Sequence, residues 1–210
     1  MSNATSLTPS RRLLLLGGAS LGLAACSGII GPVGDMQLYL LKPSLAKTPG
    51  RPVNWRLTVL RPDSPQSLDT NRIAISRSPT TMDYYAGAIW TDRLPPLVQD
   101  WVVQAFETSG RIGSVAADSA GARSDYDLDL DVRNFEARYD TPDGAPTAVV
   151  RIHAKLLTRL KQTIIDDYET GHEAPASANS IDAAVMAFDQ AFGAVLADIV
   201  DWTLKTAPST

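Results

Sequence analysis

The sequence predicts an α+β fold, a two-layer domain in which helices pack on one face of a mainly antiparallel sheet. Three observations lead to this. Two segments, 125–132 and 148–156, alternate apolar and polar residues and flank the turn Thr141-Pro142-Asp143-Gly144, the pattern of a hairpin with one buried face. Short apolar runs punctuated by proline precede them. The C-terminal segment then repeats Ile181, Val185, Phe188, Phe192, Val195, Ile199 and Trp202 at steps of four and three, the spacing of one helix face.

The first elements are an address. Residues 1–25 read as a signal peptide: Arg11-Arg12, then Leu13 to Leu23 interrupted by Gly17, Gly18 and Gly22, then the small residues Ala24 and Ala25 before Cys26. A basic pair, a short apolar run and a small-residue cleavage site follow one another as export requires, and the run is too short for a comfortable membrane span. Cleavage is expected after Ala25. Cys26 is the only cysteine in the chain, so it can form no internal disulfide. A thiol at that place is the expected acceptor of a diacylglyceryl group, with an N-acyl chain added after cleavage; no other cofactor is expected. The leader fits export either by the general secretory route or, through Ser10-Arg11-Arg12-Leu13-Leu14, by the twin-arginine route. Residues 26–35, rich in glycine and containing Pro32, read as a lipidated tether, and Ser27 rather than aspartate after the cysteine leans towards the outer membrane.

One domain is expected over 36–206. Met36–Leu41 forms a short strand stopped by Pro43; Trp55–Leu60 alternates and forms a second, ended by Pro62; Arg72–Ser76 and Thr81–Tyr85 form a third and fourth. Between 94 and 108, Leu94, Leu97, Val98, Trp101, Val102, Ala105 and Phe106 make a helical stripe, and Gly110 is a suitable stop. In the hairpin, Tyr126, Leu128, Leu130 and Val132 face inward. Asp125, Asp127, Asp129 and Asp131 face the row Arg151, His153 and Lys155, giving a charge-laced outer face. The last helix has Asn179 or Ser180 as cap, Asp182 in the first turn and Lys205 in the last. Its Gly193 and alanines are expected to let it lie close to the strands.

Composition narrows the function. The net charge is −4, and the leader's only charges are Arg11 and Arg12, so the mature chain is more acidic still; nucleic acid is not an expected partner. The aspartate row lacks the glycine and closing glutamate of a calcium loop. His172-Glu173 is followed by Ala174-Pro175-Ala176, without the second histidine of a zinc-protease helix. His153 reads as a surface residue. Asp166 and Asp167 are adjacent, so on a strand they point to opposite faces and do not share a site. Nucleophile elbows and phosphate-binding glycine loops are missing, and no catalytic or metal-binding residue is assigned. Tyr84, Tyr85 and Trp90 concentrate aromatic surface; they serve either to pack a helix on the sheet, with Trp101, or as candidate partner contacts.

The order of short motifs resembles a known family. Leu23-Ala24-Ala25-Cys26 resembles the lipobox of bacterial lipoproteins, and Tyr39, Leu41 and Pro43 follow it. Asp69-Thr70-Asn71-Arg72-Ile73-Ala74, Tyr84-Tyr85, Trp90 and Leu94-Pro95 come next. A strand with Tyr126-Asp127-Leu128, Leu130, Val132 and Asn134-Phe135-Glu136 and a helix ending Asp198-Ile199-Val200-Asp201-Trp202 complete the series. This is similar to the ABC-type transport auxiliary lipoproteins, over roughly 26–204; the segment 162–178 is least similar. The resemblance implies a non-catalytic envelope subunit working with a mammalian-cell-entry-domain protein and an ABC transporter in moving lipid or other hydrophobic compounds. It also implies a periplasm-facing, lipid-anchored location and a candidate homo-oligomer. The competing expectation is a structural or assembly lipoprotein of another envelope complex.

Overall fold

In the computed structural model, residues 36–208 are described; the leader, Ala25, Cys26 and the tether 26–35 lie outside them. The chain runs β1 (Gln37–Tyr39), β2 (Leu57–Val59), β3 (Arg72–Ser78), β4 (Thr81–Trp90), α1 (Leu94–Ser109), β5 (Val115–Ala117), β6 (Tyr126–Arg138), β7 (Thr147–Thr158), β8 (Thr163–Pro175) and α2 (Ile181–Thr206). The eight strands form one sheet. The long neighbours β3–β4, β6–β7 and β7–β8 are antiparallel. The parallel contacts, β1–β4, β2–β5, β2–β6 and β3–β6, are each only three pairs long, so the sheet is mostly antiparallel.

The sheet forks beside β6. One edge of β6 pairs with β7 along nearly its whole length. The other edge carries β2 at Tyr126–Leu128 and β3 at Glu136–Arg138. From β2 the sheet continues to β5, and from β3 through β4 to β1. A register shift between Val132 and Asn134 changes which parity faces inward: Leu128, Leu130 and Val132 are buried before it, Phe135 and Ala137 after it. A strand of 13 residues thereby keeps one apolar face through its own twist.

Both helices lie on that face. α2 packs across β7 and β8, and α1 rests against α2, β2 and β5. Ser180 caps α2 by accepting from the Ala183 N–H at 3.2 Å, with Asp182 in the first turn and Lys205 in the last. Leu94 opens α1 with Pro95 and Pro96 behind it, where the missing N–H groups cost nothing, and Gly110 ends it at φ 68°, a conformation glycine adopts without strain. The core centres on aromatic rings. Phe135 stacks on Phe188 at 5.0 Å between centroids and 7° between planes. Trp90 meets both edge-on, at 6.2 and 5.4 Å, and Phe192 meets Phe135 at 5.5 Å. α2 is long and apolar enough to cross a membrane by composition alone, but Phe188, Phe192, Val195 and Ile199 are fully buried against the sheet.

Several expectations need correction. The fourth strand extends five residues past Tyr85, so Trp90 is part of the sheet. The segment 162–178, assigned no element from sequence, holds the 13-residue edge strand β8. Gly193 does not approach a strand: a Cβ there would lie 3.2 Å from the Ser44 carbonyl oxygen and 3.6 Å from Pro43 Cβ, so the glycine admits the loop after β1. The aspartate row is only partly a solvated face. Asp129 does meet Lys155, at 3.6 Å. Asp131 pairs instead with Arg133 at 3.0 Å, and Asp127 is 1% exposed. His153 is largely covered, its side chain 16% exposed, and turns to Asp167 of β8 at 3.0 Å.

Candidate partner interface

The aromatic group considered from sequence divides in two. Trp90 is 1% exposed; it faces Phe135 and Phe188, so its indole packs the C-terminal helix on the sheet and offers no contact surface. Tyr84 and Tyr85 are half-buried and, as neighbours on β4, point to opposite faces. Tyr85 turns inward, where its hydroxyl shares a 2.8 Å hydrogen bond with that of Tyr139, and burial holds it far above the ordinary phenol range. Tyr139 in turn donates to Asn179 Oδ1 at 3.2 Å, just before α2. Tyr84 turns outward: its hydroxyl donates to the Ser67 carbonyl at 2.9 Å, and the Arg72 guanidinium lies 3.9 Å over its ring. Of the three residues, only Tyr84 belongs to the open face of the sheet.

Next to Tyr84 that face hollows into an open concavity of about 670 Å³ between Ser76–Met82 and Asn134–Asp140. Glu136 forms its floor and is 8% exposed. Its carboxylate accepts from Asn134 Nδ2 and from the Phe135 N–H, both at 2.9 Å. Burial nevertheless raises its pKa; these hydrogen bonds and the charges of Arg138 and Arg151 oppose the rise without cancelling it. Arg138 closes the rim with a two-pronged bond to Glu173, 2.8 Å for each prong, which holds Glu173 below the usual carboxylate range. Sequence alone gave no warning of a buried Glu136, because the register shift that turns it outward beside β3 is not visible in an alternating pattern.

The remaining polar groups are structural ties. Gln99 of α1 donates to the Val59 carbonyl and to Asp118, both at 2.9 Å, fixing α1 to the short β2 arm and lowering the Asp118 pKa. Asp127 accepts twice from Arg159 at 3.0 Å and once from Gln162 at 3.1 Å. Gln162 reaches it from a left-handed turn residue at φ 51°. Asp166 accepts from the Trp202 indole at 3.2 Å while Asp167 faces His153, so the adjacent carboxylates do lie on opposite faces. His172 and Thr170 both meet Asp198 of α2 at 2.7 Å, a link from strand to helix. Among the described residues no three His, Cys, Asp or Glu side chains converge on a metal position. An apolar cleft beneath the 44–49 loop, lined by Leu45, Pro49, Ala105, Gly193, Leu196 and Val200, measures about 260 Å³. That is below the roughly 300–1,000 Å³ of small-molecule sites.

An α+β domain whose helices cover one face of a forked sheet, with an open hollow on the other, is the class that the geometry defines. Residues 39–200 match the model of the ABC-type transport auxiliary lipoprotein component family, and the chain belongs to that family. Its members are auxiliary components of transport systems in the cell envelope. The crystal structure of protein XCC0632 from Xanthomonas campestris, of the DUF330 family, is 34% identical, with a TM-score of 0.75, covering 81% of this chain and 95% of that one. A second, uncharacterised crystal structure shares the fold at 19% identity and a TM-score of 0.60, covering 76% of this chain and 99% of that one. An uncharacterised protein of Bradyrhizobium diazoefficiens is 23% identical over 192 residues, covering 90% of this chain. The chain spans about half the length of that curated relative.

Proposed function

We propose that the protein is a non-catalytic, lipid-anchored subunit of an envelope system that moves lipid or other hydrophobic compounds. It docks a mammalian-cell-entry-domain protein served by an ABC transporter. The observation that carries this reading is the family match across residues 39–200. The geometry supports a docking role. The larger hollow is open, with Arg77, Glu136 and Arg138 among its lining, and the apolar cleft is small, which supports docking over enclosure of a diacyl lipid. The proposed anchor is acylated Cys26, facing the periplasm from the outer membrane, and the proposed contact surface is the open face around Tyr84 and the Glu136 hollow. Assembly into a homo-oligomer belongs to the same proposal.

The test is affinity purification of the tagged protein from gently solubilised envelopes, read by mass spectrometry. A mammalian-cell-entry-domain protein is expected among the recovered partners. Recovery of a different envelope complex, with that protein expressed but absent, would replace this reading with a structural role.

A further inference from the structure

Strand β1 lies at the end of one arm of the sheet, hydrogen-bonded only to β4 among the described strands. From Leu38 onward its alternate residues divide. Tyr39 packs against the core and Leu41 is 3% exposed. Leu38, with Met36 and Leu40 at its flanks, points the other way, and these three side chains are 59%, 50% and 58% exposed. Large aliphatic side chains in a row on an edge strand are what folded proteins usually avoid. The same face continues through Ile89, opposite Leu38, to Arg72, opposite Ile89, where the guanidinium lies over Tyr84. Lys42 follows at the exposed end of the row. Aliphatic residues bordered by tyrosine, arginine and lysine form the sequence of chemistries met in passing from acyl chains to headgroups.

The chain leading into this row decides what covers it. Met36 lies ten positions beyond Cys26, a reach of at most about 35 Å. Between Cys26 and Lys42 the sequence holds one charged residue, Asp35, among Ile29, Ile30, Val33 and the aliphatic residues of the row. A short, weakly charged connection keeps the start of β1 near whatever surface holds Cys26.

We propose that the β1 row, Met36, Leu38 and Leu40, seats in the interfacial region of the bilayer that holds the lipid anchor, fixing the orientation of the domain on the membrane. This rests on the reading that Cys26 is acylated. With β1 at the bilayer, the domain is held by two points rather than one, and its orientation no longer depends on a freely turning tether.

The test uses the full mature lipoprotein in phosphatidylethanolamine–phosphatidylglycerol vesicles, carrying an environment-sensitive fluorophore on Leu38→Cys or, as control, on Met186→Cys. Met186 is 70% exposed on α2. The expected result is blue-shifted emission at 38, strongly quenched by nitroxide-labelled phospholipid and unchanged when protein is diluted into more lipid. The probe at 186 stays solvent-like. Emission at 38 matching that at 186 overturns the proposal. So does shielding at 38 that disappears on dilution, which assigns the row to a second copy of the chain. The mass of the N-terminal peptide separates the two levels: an unacylated Cys26 removes the anchor reading and the proposal together, whereas an acylated Cys26 with an exposed probe removes the proposal alone.

Discussion

Asp127 shows how a single side chain acquires a structural role that its sequence context conceals. It belongs to a row of alternating aspartates, yet it is 1% exposed because the β7–β8 turn folds Arg159 and Gln162 over it. Removing Arg159 leaves a buried carboxylate with Gln162 and a long contact to Ser124 at 3.4 Å. Arg159→Ala is therefore expected to destabilise the fold by about 1–3 kcal/mol, the cost of an under-satisfied buried acceptor. Urea denaturation checks this; an unchanged midpoint would show that Asp127 is adequately served without the guanidinium. Glu136 makes a prediction of pH dependence. Its folded pKa is raised, so the folded state favours the protonated acid. The associated stability is present below the ordinary glutamate range and is lost as pH rises through the raised value. Asp118, Asp125 and Glu173 have lowered values and act in the opposite sense: their contribution is lost as pH falls through the folded-state values. Melting temperatures of wild type and Glu136→Gln, followed upward from the ordinary carboxylate range to neutrality, should diverge in favour of the variant. Parallel curves would exclude Glu136 as the source of that slope.

At the scale of elements, α2 and the loop after β1 form the most constrained contact. Gly193 presents its bare backbone to Ser44, with room for a Cβ only at 3.2 Å from a carbonyl oxygen. Gly193→Val would also place branched methyls against Pro43 and Ser44. The expected cost is about 1–3 kcal/mol, as for other overpacked sites, with the 44–49 loop becoming more accessible to limited proteolysis. A variant as stable and as resistant as wild type would mean that the loop can lift without loss. The same helix shows what was legible beforehand. Its face, its acidic start and basic end were readable, with Ser180 as one of two candidate caps, because 3.6-residue periodicity and end chemistry are local properties. The β6–β7 hairpin was readable for the same reason, through its period of two. β8 was not: as an edge strand it carries Asp166, Asp167, Glu169 and Glu173 and buries few side chains, so it has no alternating apolar face to detect. The three-residue β5 is too short to carry a pattern. Trp90 and the inward Tyr85 were placed together with Tyr84 because nothing local distinguishes a packing aromatic from a surface one. Their separation depends on the extended β4 and on where Phe135 arrives from a distant strand.

At the scale of the whole molecule, the two faces of the sheet have different tasks. One is closed by helices around a continuous apolar core. The other is open, with a hollow at Glu136 and an exposed aliphatic row at β1. In the proposed reading the hollow is the part of that face offered to partners and the β1 row is the part turned to the membrane, so that the row fixes where the hollow points. Acyl chains supply roughly 0.8 kcal/mol per buried methylene, so their loss cannot be offset by the three side chains of the β1 row. Cys26→Ser is accordingly expected to incorporate no labelled palmitate. The product should either retain the leader or be released as a soluble domain, with circular dichroism unchanged because the described strands, helices and core are built from residues 36–208. Metabolic labelling followed by membrane fractionation separates the outcomes. Palmitate entering the serine variant would overturn Cys26 as the anchor. A variant that took up no palmitate but stayed with the membranes after leader cleavage would show that protein contacts, the β1 row among them, hold the domain there more strongly than the acyl chains do.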